Sequence, residues 1–275
     1  MPRFRTVEVS DPALEQEGLR QVTVHSRNLR GRGDLTVWRP SQAVPSRPLP
    51  LVVLLHGVYG SHWGWTAKGG VHRTAARLIA SGAIPPMALA MPSDGLRNDG
   101  TGYLDGPDGD FERWILDDVP AAAAEAVPEV DPEAPLLLSG LSMGGFGTLR
   151  IGARHPGRFL ALSAHSAVTG LADLRPFIET PMATPADGDG PEVAPLLLRE
   201  AGRLPPLRFD CGVDDPLAES NRSLHRTLEA AGVPHVYEEF PGGHAWPYWA
   251  EHVADTLRFF GNRVAERTAN PGGRH

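Results

Sequence analysis

Three residue types that together cleave acyl bonds are spread along this chain. Ser142 lies in GLSMGG (140–145), between glycines and after an apolar run ending at Leu138. A G-x-S-x-G pattern between a strand and a helix is the turn that lifts a serine hydroxyl above a sheet, where side chains at the glycines would clash. A serine hydroxyl is a weak nucleophile and needs a base. Among eleven histidines, His244 in FPGGHAWPYW follows the last strand-like run and precedes the last helix-like one. The histidine in turn needs a carboxylate, and DCGVDDPL offers Asp210, Asp214 and Asp215. The plain alternatives are a small-residue loop at Ser142, a surface histidine at 244, and a helix N-cap at Asp215-Pro216. One aspartate is expected to serve only one of those roles well, which makes the adjacent pair informative. Developing negative charge on a substrate oxygen needs donors. The Met143 N–H supplies one, and LLHGVYG (54–60) the other, from Val58 first and Tyr59 second.

Those residues need strands that end together. Continuous apolar runs of the kind buried on both faces occur at 50–57, 85–93, 134–140, 158–166, 205–212 and 235–242. Helical patterns alternate with them at 72–82, 114–130 (interrupted by Pro120), 146–156, 216–234 and 247–267. Alternation of this kind predicts an α/β fold with a mostly parallel sheet covered on both sides. Sites in such sheets form at the carboxyl ends of the strands, where each motif above falls. QVTVHS (21–26) and DLTVWRP (34–40) predict an antiparallel edge. His165 ends another apolar run, and no role is assigned to it.

Composition narrows the function. The 275 residues are 41% hydrophobic, with a formal net charge of −7 and no block of like charge, which argues against nucleic acid as a partner. The lone Cys211 excludes an internal disulfide and a cysteine metal cluster. The first residues, MPRFRTVEVSDPALEQEG, lack a signal-peptide apolar stretch, and no apolar run reaches the ~18 residues of a membrane span. The expected location is the cytoplasm. The chain is expected to be one domain over 1–275, with a loop or lid insertion within 170–203 centred on ETPMATPADGDGPEVAP (179–195). SDGLRNDGTGYLDGPDGDFE (93–112) is rich in oxygen ligands but lacks EF-hand spacing, so a solvated loop is favoured over calcium. No metal or other cofactor is expected.

The motifs LLHGVYGSHWGW, GLSMGG, CGVDD and PGGHAWPYW resemble those of α/β-hydrolase-fold esterases of the esterase D type. That group includes tributyrin-type and feruloyl esterases, S-formylglutathione hydrolases and antigen 85-like acyltransferases. The resemblance spans about residues 35–262. It implies the α/β-hydrolase fold, with Ser142 as nucleophile, Asp215 as acid, His244 as base, and Val58 and Met143 as oxyanion hole. The Gly-x-x-Asp spacing from Gly212 to Asp215 matches the family, whereas Asp210 lies within the strand. Phe146 stands where the glutathione thioesterases usually carry histidine, and the early loop looks closer to small carboxylesterases.

The function expected is a serine carboxylesterase for small or activated esters. Alternatives on the same scaffold are an acyltransferase, a feruloyl or acetyl sugar esterase, an S-formylglutathione thioesterase and a catalytically silent binding protein. His62, Trp65 and Trp246 are candidate substrate contacts, with Trp249 read as core, and Arg97 or Tyr103 are further candidates. The partner expected is a small-molecule ester, with a homo-oligomer left open. His244 must be neutral to act as a base, and free histidine titrates near 6.5. The profile of kcat/KM is therefore expected to rise with pH through about 6 to 7.5, and a profile flat over that range would exclude a histidine base.

Overall fold

Strand β4 (Leu51–Leu55) is buried at every residue, and its alternate side chains enter two different cores. Val53 and Leu55 pack on one face of the sheet with Trp114, Phe146 and Leu149. Val52 and Leu54 pack on the other with Trp65, Val253 and Phe260. A strand sandwiched between two helical layers must be apolar throughout, which explains the unbroken run LVVLL. β5 (Ala88–Pro92), β8 (Leu136–Leu141) and β10 (Leu207–Gly212) are also buried along their whole length, β8 with one serine and β10 with the paired charges Arg208 and Asp210 among its apolar residues.

The computed structural model describes residues 2–41, 48–95, 99–180, 182, 185 and 188–269. One nine-stranded sheet runs β1-β2-β3-β5-β4-β8-β9-β10-β11, with β1 at Phe4–Val9, β2 at Leu19–Ser26, β3 at Gly31–Trp38, β9 at Phe159–His165 and β11 at Val236–Phe240. Strands β5, β4, β8, β9, β10 and β11 of this sheet are parallel. The pairs β1–β2, β2–β3 and β3–β5 are antiparallel. The sheet and its helices have the α/β-hydrolase architecture that the motifs implied. The antiparallel edge is one strand wider than the sequence suggests. FRTVEV in β1 shows only Phe4 buried, so its apolar signal is weak.

Helices α1 (Gly64–Ala67), α2 (Val71–Ala80) and α8 (Trp246–Ala269) cover one face. The other carries α4 (Val119–Ala126), α5 (Met143–Arg154), α6 (Ala194–Arg199) and α7 (Ala218–Ala230). A two-strand hairpin of β6 (Asp105–Gly106) and β7 (Gly109–Asp110) leads into the short α3 (Phe111–Arg113). Pro120 does not break the following helix as its sequence suggests. A π-helical turn over Trp114–Asp118, closed by the Val119 N–H on the Trp114 carbonyl, precedes it and leaves the proline in the first turn of α4. There its missing N–H costs nothing.

The excursion between β9 and β10 is narrower than 170–203. Its ends meet where Gly170 and Glu192 form an antiparallel bridge, supported by Leu171 N–H to Pro191 O and Val193 N–H to Thr169 O. From Ala194 onward the chain is α6, with Leu196 and Leu197 buried against the body. Part of 179–195 (181, 183–184 and 186–187) lies outside the described residues.

Close approach of β4 and α5 depends on Gly144. A Cβ there would lie 2.5 Å from the Leu55 carbonyl oxygen and 2.7 Å from that of His56, both rigid backbone. Gly144→Ala is expected to cost about 3 kcal/mol, the upper end of the overpacking range, which lowers Tm by roughly 6–12 °C for a chain of this size. Gly157, where a Cβ would meet nothing within 4 Å, is the control. Gly157→Ala should stay within about 0.5 kcal/mol of the parent in the same thermal melts.

Candidate active site

The carboxyl ends of β8, β10 and β11 bring Ser142, Asp215 and His244 together. His244 Nε2 stands 2.9 Å from Ser142 Oγ. Its Nδ1 stands 2.9 and 3.1 Å from the two carboxylate oxygens of Asp215. Ser142 is the residue between β8 and α5, with φ 55° and ψ −119°, a backbone that a side-chain-bearing residue rarely adopts. Three partners hold it: its N–H donates to the His165 carbonyl, and its own carbonyl accepts from Phe146 and Val168. The glycines explain themselves. A Cβ at Gly140 would lie 2.3 Å from the Gly144 carbonyl oxygen, and one at Gly145 would lie 2.9 Å from Ala167 Cα.

Asp215 carries both duties that the sequence treats as exclusive. Its Oδ1 accepts from the Leu217 N–H at 2.8 Å, and the same carboxylate faces His244. A carboxylate oxygen has lone pairs enough for both, so anchoring at the head of α7 fixes the orientation of the group. Asp214 is exposed and does not meet the histidine. Asp210 is fully buried in a second histidine–carboxylate pair, with His165 Nδ1 2.9 Å away. Arg208 and the Tyr248 hydroxyl also bind it. Burial alone would raise the Asp210 pKa, but His165 and Arg208 outweigh it and hold the group below its ordinary value. The His165 ring continues through Nε2 to Thr256 Oγ1 and from there to Ser163 Oγ. All of these groups are sealed from solvent, so this pair braces the elbow from beneath.

The early loop passes directly over the serine. A Cβ at Gly57 would lie 3.2 Å from Ser142 Cβ, so the loop that carries Val58 starts against the serine. Tyr59, the second candidate donor, has its N–H committed to the Asp99 carbonyl at 2.9 Å. Met143 opens α5, so its N–H belongs to the free first turn of a helix.

The candidate substrate contacts fare differently. Trp65 is a core residue rather than a contact. It is 1% exposed, its Nε1 donates to the Leu55 carbonyl, and its ring packs edge-on to Trp246. Tyr103 is likewise corrected: it is fully buried and donates its hydroxyl to the His56 carbonyl. His62 is half-buried and turned toward β3, where its Nδ1 meets Thr36 Oγ1 at 2.9 Å. Desolvation lowers its pKa. Trp246 is half-buried over Gly64 and Gly69 and reaches His244 only through Trp249, whose ring sits edge-on to the histidine at 5.0 Å. Arg97 lies outside the described residues. Phe177 was not legible. It stacks on the His244 ring at 5.0 Å and 28°, from the excursion after β9, and no motif marks it. Cys211 is buried beside the site, and burial pushes its thiol well above its ordinary pKa, so it stays protonated.

Residues 26–260 match the model of the family described as "Putative esterase". The chain belongs to this esterase family. It is a serine hydrolase of carboxylic esters. The esterase is 26% identical over 236 residues to an acetyl esterase of Caldicellulosiruptor saccharolyticus, covering 78% of this chain and 85% of that one. Its fold is similar to a solved ferulic acid esterase (TM-score 0.74, 24% identity, covering 94% of this chain and 99% of that one). It is also similar to a fluorophosphonate-binding serine hydrolase of Staphylococcus aureus (TM-score 0.75, 21% identity, covering 89% and 98%). In the esterase, Ser142→Ala is expected to lower kcat by several orders of magnitude with Tm preserved. Asp215→Asn should cost about three to four orders and Asp214→Asn tenfold or less, assayed side by side. The reverse ranking would move the acid to Asp214.

Proposed function

We propose that Ser142 is the nucleophile, His244 the general base and Asp215 its orienting carboxylate, and that the site cleaves short-chain or activated esters. The observation that carries this reading is the continuous contact from Ser142 Oγ through the His244 ring to Asp215. Ser142 Oγ attacks the ester carbonyl carbon while His244 Nε2 takes the hydroxyl proton. The Nδ1–H keeps donating to the Asp215 carboxylate, which holds the ring in one tautomer and offsets the imidazolium charge. The N–H groups of Val58 and Met143 bind the oxyanion of the tetrahedral intermediate. That intermediate collapses by breaking the bond to the alcohol oxygen, which receives the proton from His244. Water then enters, gives a proton to His244 and attacks the acyl carbon. Collapse releases the carboxylic acid and returns the proton to Ser142 Oγ.

Two features support a short acyl group. The similar protein from Caldicellulosiruptor saccharolyticus is an acetyl esterase. Phe177 lies flat on His244, which narrows the space over the base. The net charge of −7 favours a small-molecule ester over nucleic acid as partner. The cytoplasm is the location this reading assigns, on the lone reduced cysteine of the sequence. Among the described residues no helix is long and apolar enough to cross a membrane.

A p-nitrophenyl series from acetate to octanoate, run beside methyl ferulate, tests the substrate class. The expected kcat/KM is highest at acetate or butyrate and falls by about tenfold or more by octanoate, since a closed pocket rejects each added methylene by roughly 1–3 kcal/mol. Methyl ferulate as the best substrate would replace the short acyl group with a hydroxycinnamoyl one. Adding an acceptor alcohol and quantifying the ester formed separates hydrolysis from acyl transfer.

A further inference from the structure

His56 directly follows β4, at the start of the loop that passes Ser142, and it is 2% exposed. Its two ring nitrogens have different partners. Nε2 stands 3.1 Å from the Asp94 backbone nitrogen, an obligatory donor, so Nε2 accepts. The ring proton therefore sits on Nδ1, which donates to the Gly57 carbonyl at 2.7 Å. The same carbonyl accepts the Gly60 N–H at 3.1 Å. Gly60 is glycine for this reason: a Cβ there would lie 2.6 Å from His56 Nδ1.

The Gly57 carbonyl and the Val58 N–H belong to one peptide unit. No cis peptide bond occurs among the described residues, and in a trans unit the two groups point in opposite directions. Fixing the carbonyl on the imidazole therefore aims the N–H the other way. A Cβ at Gly57 would lie 3.2 Å from Ser142 Cβ, so this peptide unit stands against the nucleophile's residue. Neighbouring groups lock the frame. The Tyr103 hydroxyl binds the His56 carbonyl at 3.0 Å, and the Asp94 carboxylate is tied to the Thr101 N–H at 2.8 Å.

We infer that His56 is a positioning residue of the ester hydrolase: its Nδ1–H clamps the Gly57 carbonyl and so orients the Val58 N–H toward the developing oxyanion. The inference rests on the reading of Val58 as an oxyanion donor. His56 touches no reacting atom. Its contribution appears only where charge develops, in the transition state.

Two near-isosteric substitutions each keep one of the ring nitrogens. In His56→Asn the side-chain amide reaches the Nδ1 position and can still donate to the Gly57 carbonyl. In His56→Gln the amide reaches the Nε2 position and can still accept from Asp94. His56→Gln is expected to lower kcat on p-nitrophenyl acetate by about 10²–10³-fold, the cost of one oxyanion donor, with KM within about threefold because an interaction made only in the transition state leaves ground-state binding unchanged. His56→Asn should recover to within about tenfold of the parent. The inhibition constant of a trifluoromethyl ketone, which forms a tetrahedral adduct with the serine, should weaken in parallel with kcat/KM across the set. A role confined to bracing Asp94 predicts the opposite order, Gln more active than Asn. That order, or equal rates in the two variants, overturns the inference. Turnover surviving in Ser142→Ala would instead overturn the assignment of the site itself.

Discussion

The strained backbone of Ser142 is the constraint on which the rest of the site depends. A residue with a side chain sits at φ 55° only where its surroundings leave no alternative. Here the surroundings are β8 beneath, α5 beyond, and the carbonyls of Leu55 and His56 pressed against Gly144. The His165 carbonyl and the Val168 N–H clamp the residue from the neighbouring strand. Every one of these contacts is made by backbone. The direction of the Ser142 side chain is thus a property of the sheet, insulated from the rotamers around it. Removing the glycines disturbs the chain path itself, whereas removing the hydroxyl leaves the path intact.

Two of the histidine–carboxylate pairs around this sheet differ in burial, and burial separates their uses. The pair of His244 and Asp215 lies in loops beyond the strand ends, with the histidine partly open. The pair of His165 and Asp210 lies within neighbouring parallel strands and is closed to solvent. Asp210 also accepts from Tyr248, which packs against Gly242 in the loop that carries His244. A buried charge with this many donors is costly to displace, because losing one partner leaves the rest uncompensated. It ties β9 and β10 to α8, the helix that follows the His244 loop.

The order of strands and the placement of the motifs were legible because burial on both faces forces unbroken apolar runs. LVVLL and LLLSGL could hardly be read otherwise. The edge strand FRTVEV was not, since one buried residue leaves no pattern to detect. The aromatic residues misled for a physical reason. Trp65 and Trp246 flank the motifs in sequence, but a large ring near a sheet edge more readily fills core than lines a cleft. Trp65 does so completely, with its indole N–H satisfied by a backbone carbonyl. Phe177 reaches His244 only through a long excursion, and contacts made across such a distance leave no local signature. The double duty of Asp215 was hidden because sequence gives no view of how many lone pairs a carboxylate has spare.

The excursion between β9 and β10 leaves and rejoins the body at a single point, the bridge of Gly170 and Glu192. Closed at its neck, it can lengthen, shorten or change composition without altering the register of either flanking strand. Loop closure itself penalises added length only weakly. The frame that holds Ser142 and the segment that stacks on His244 are therefore separable modules in heredity. A lineage carrying this fold can rewrite what sits over the His244 ring while inheriting the geometry of Ser142 unchanged, and grafting residues 171–191 between relatives is the laboratory form of that exchange.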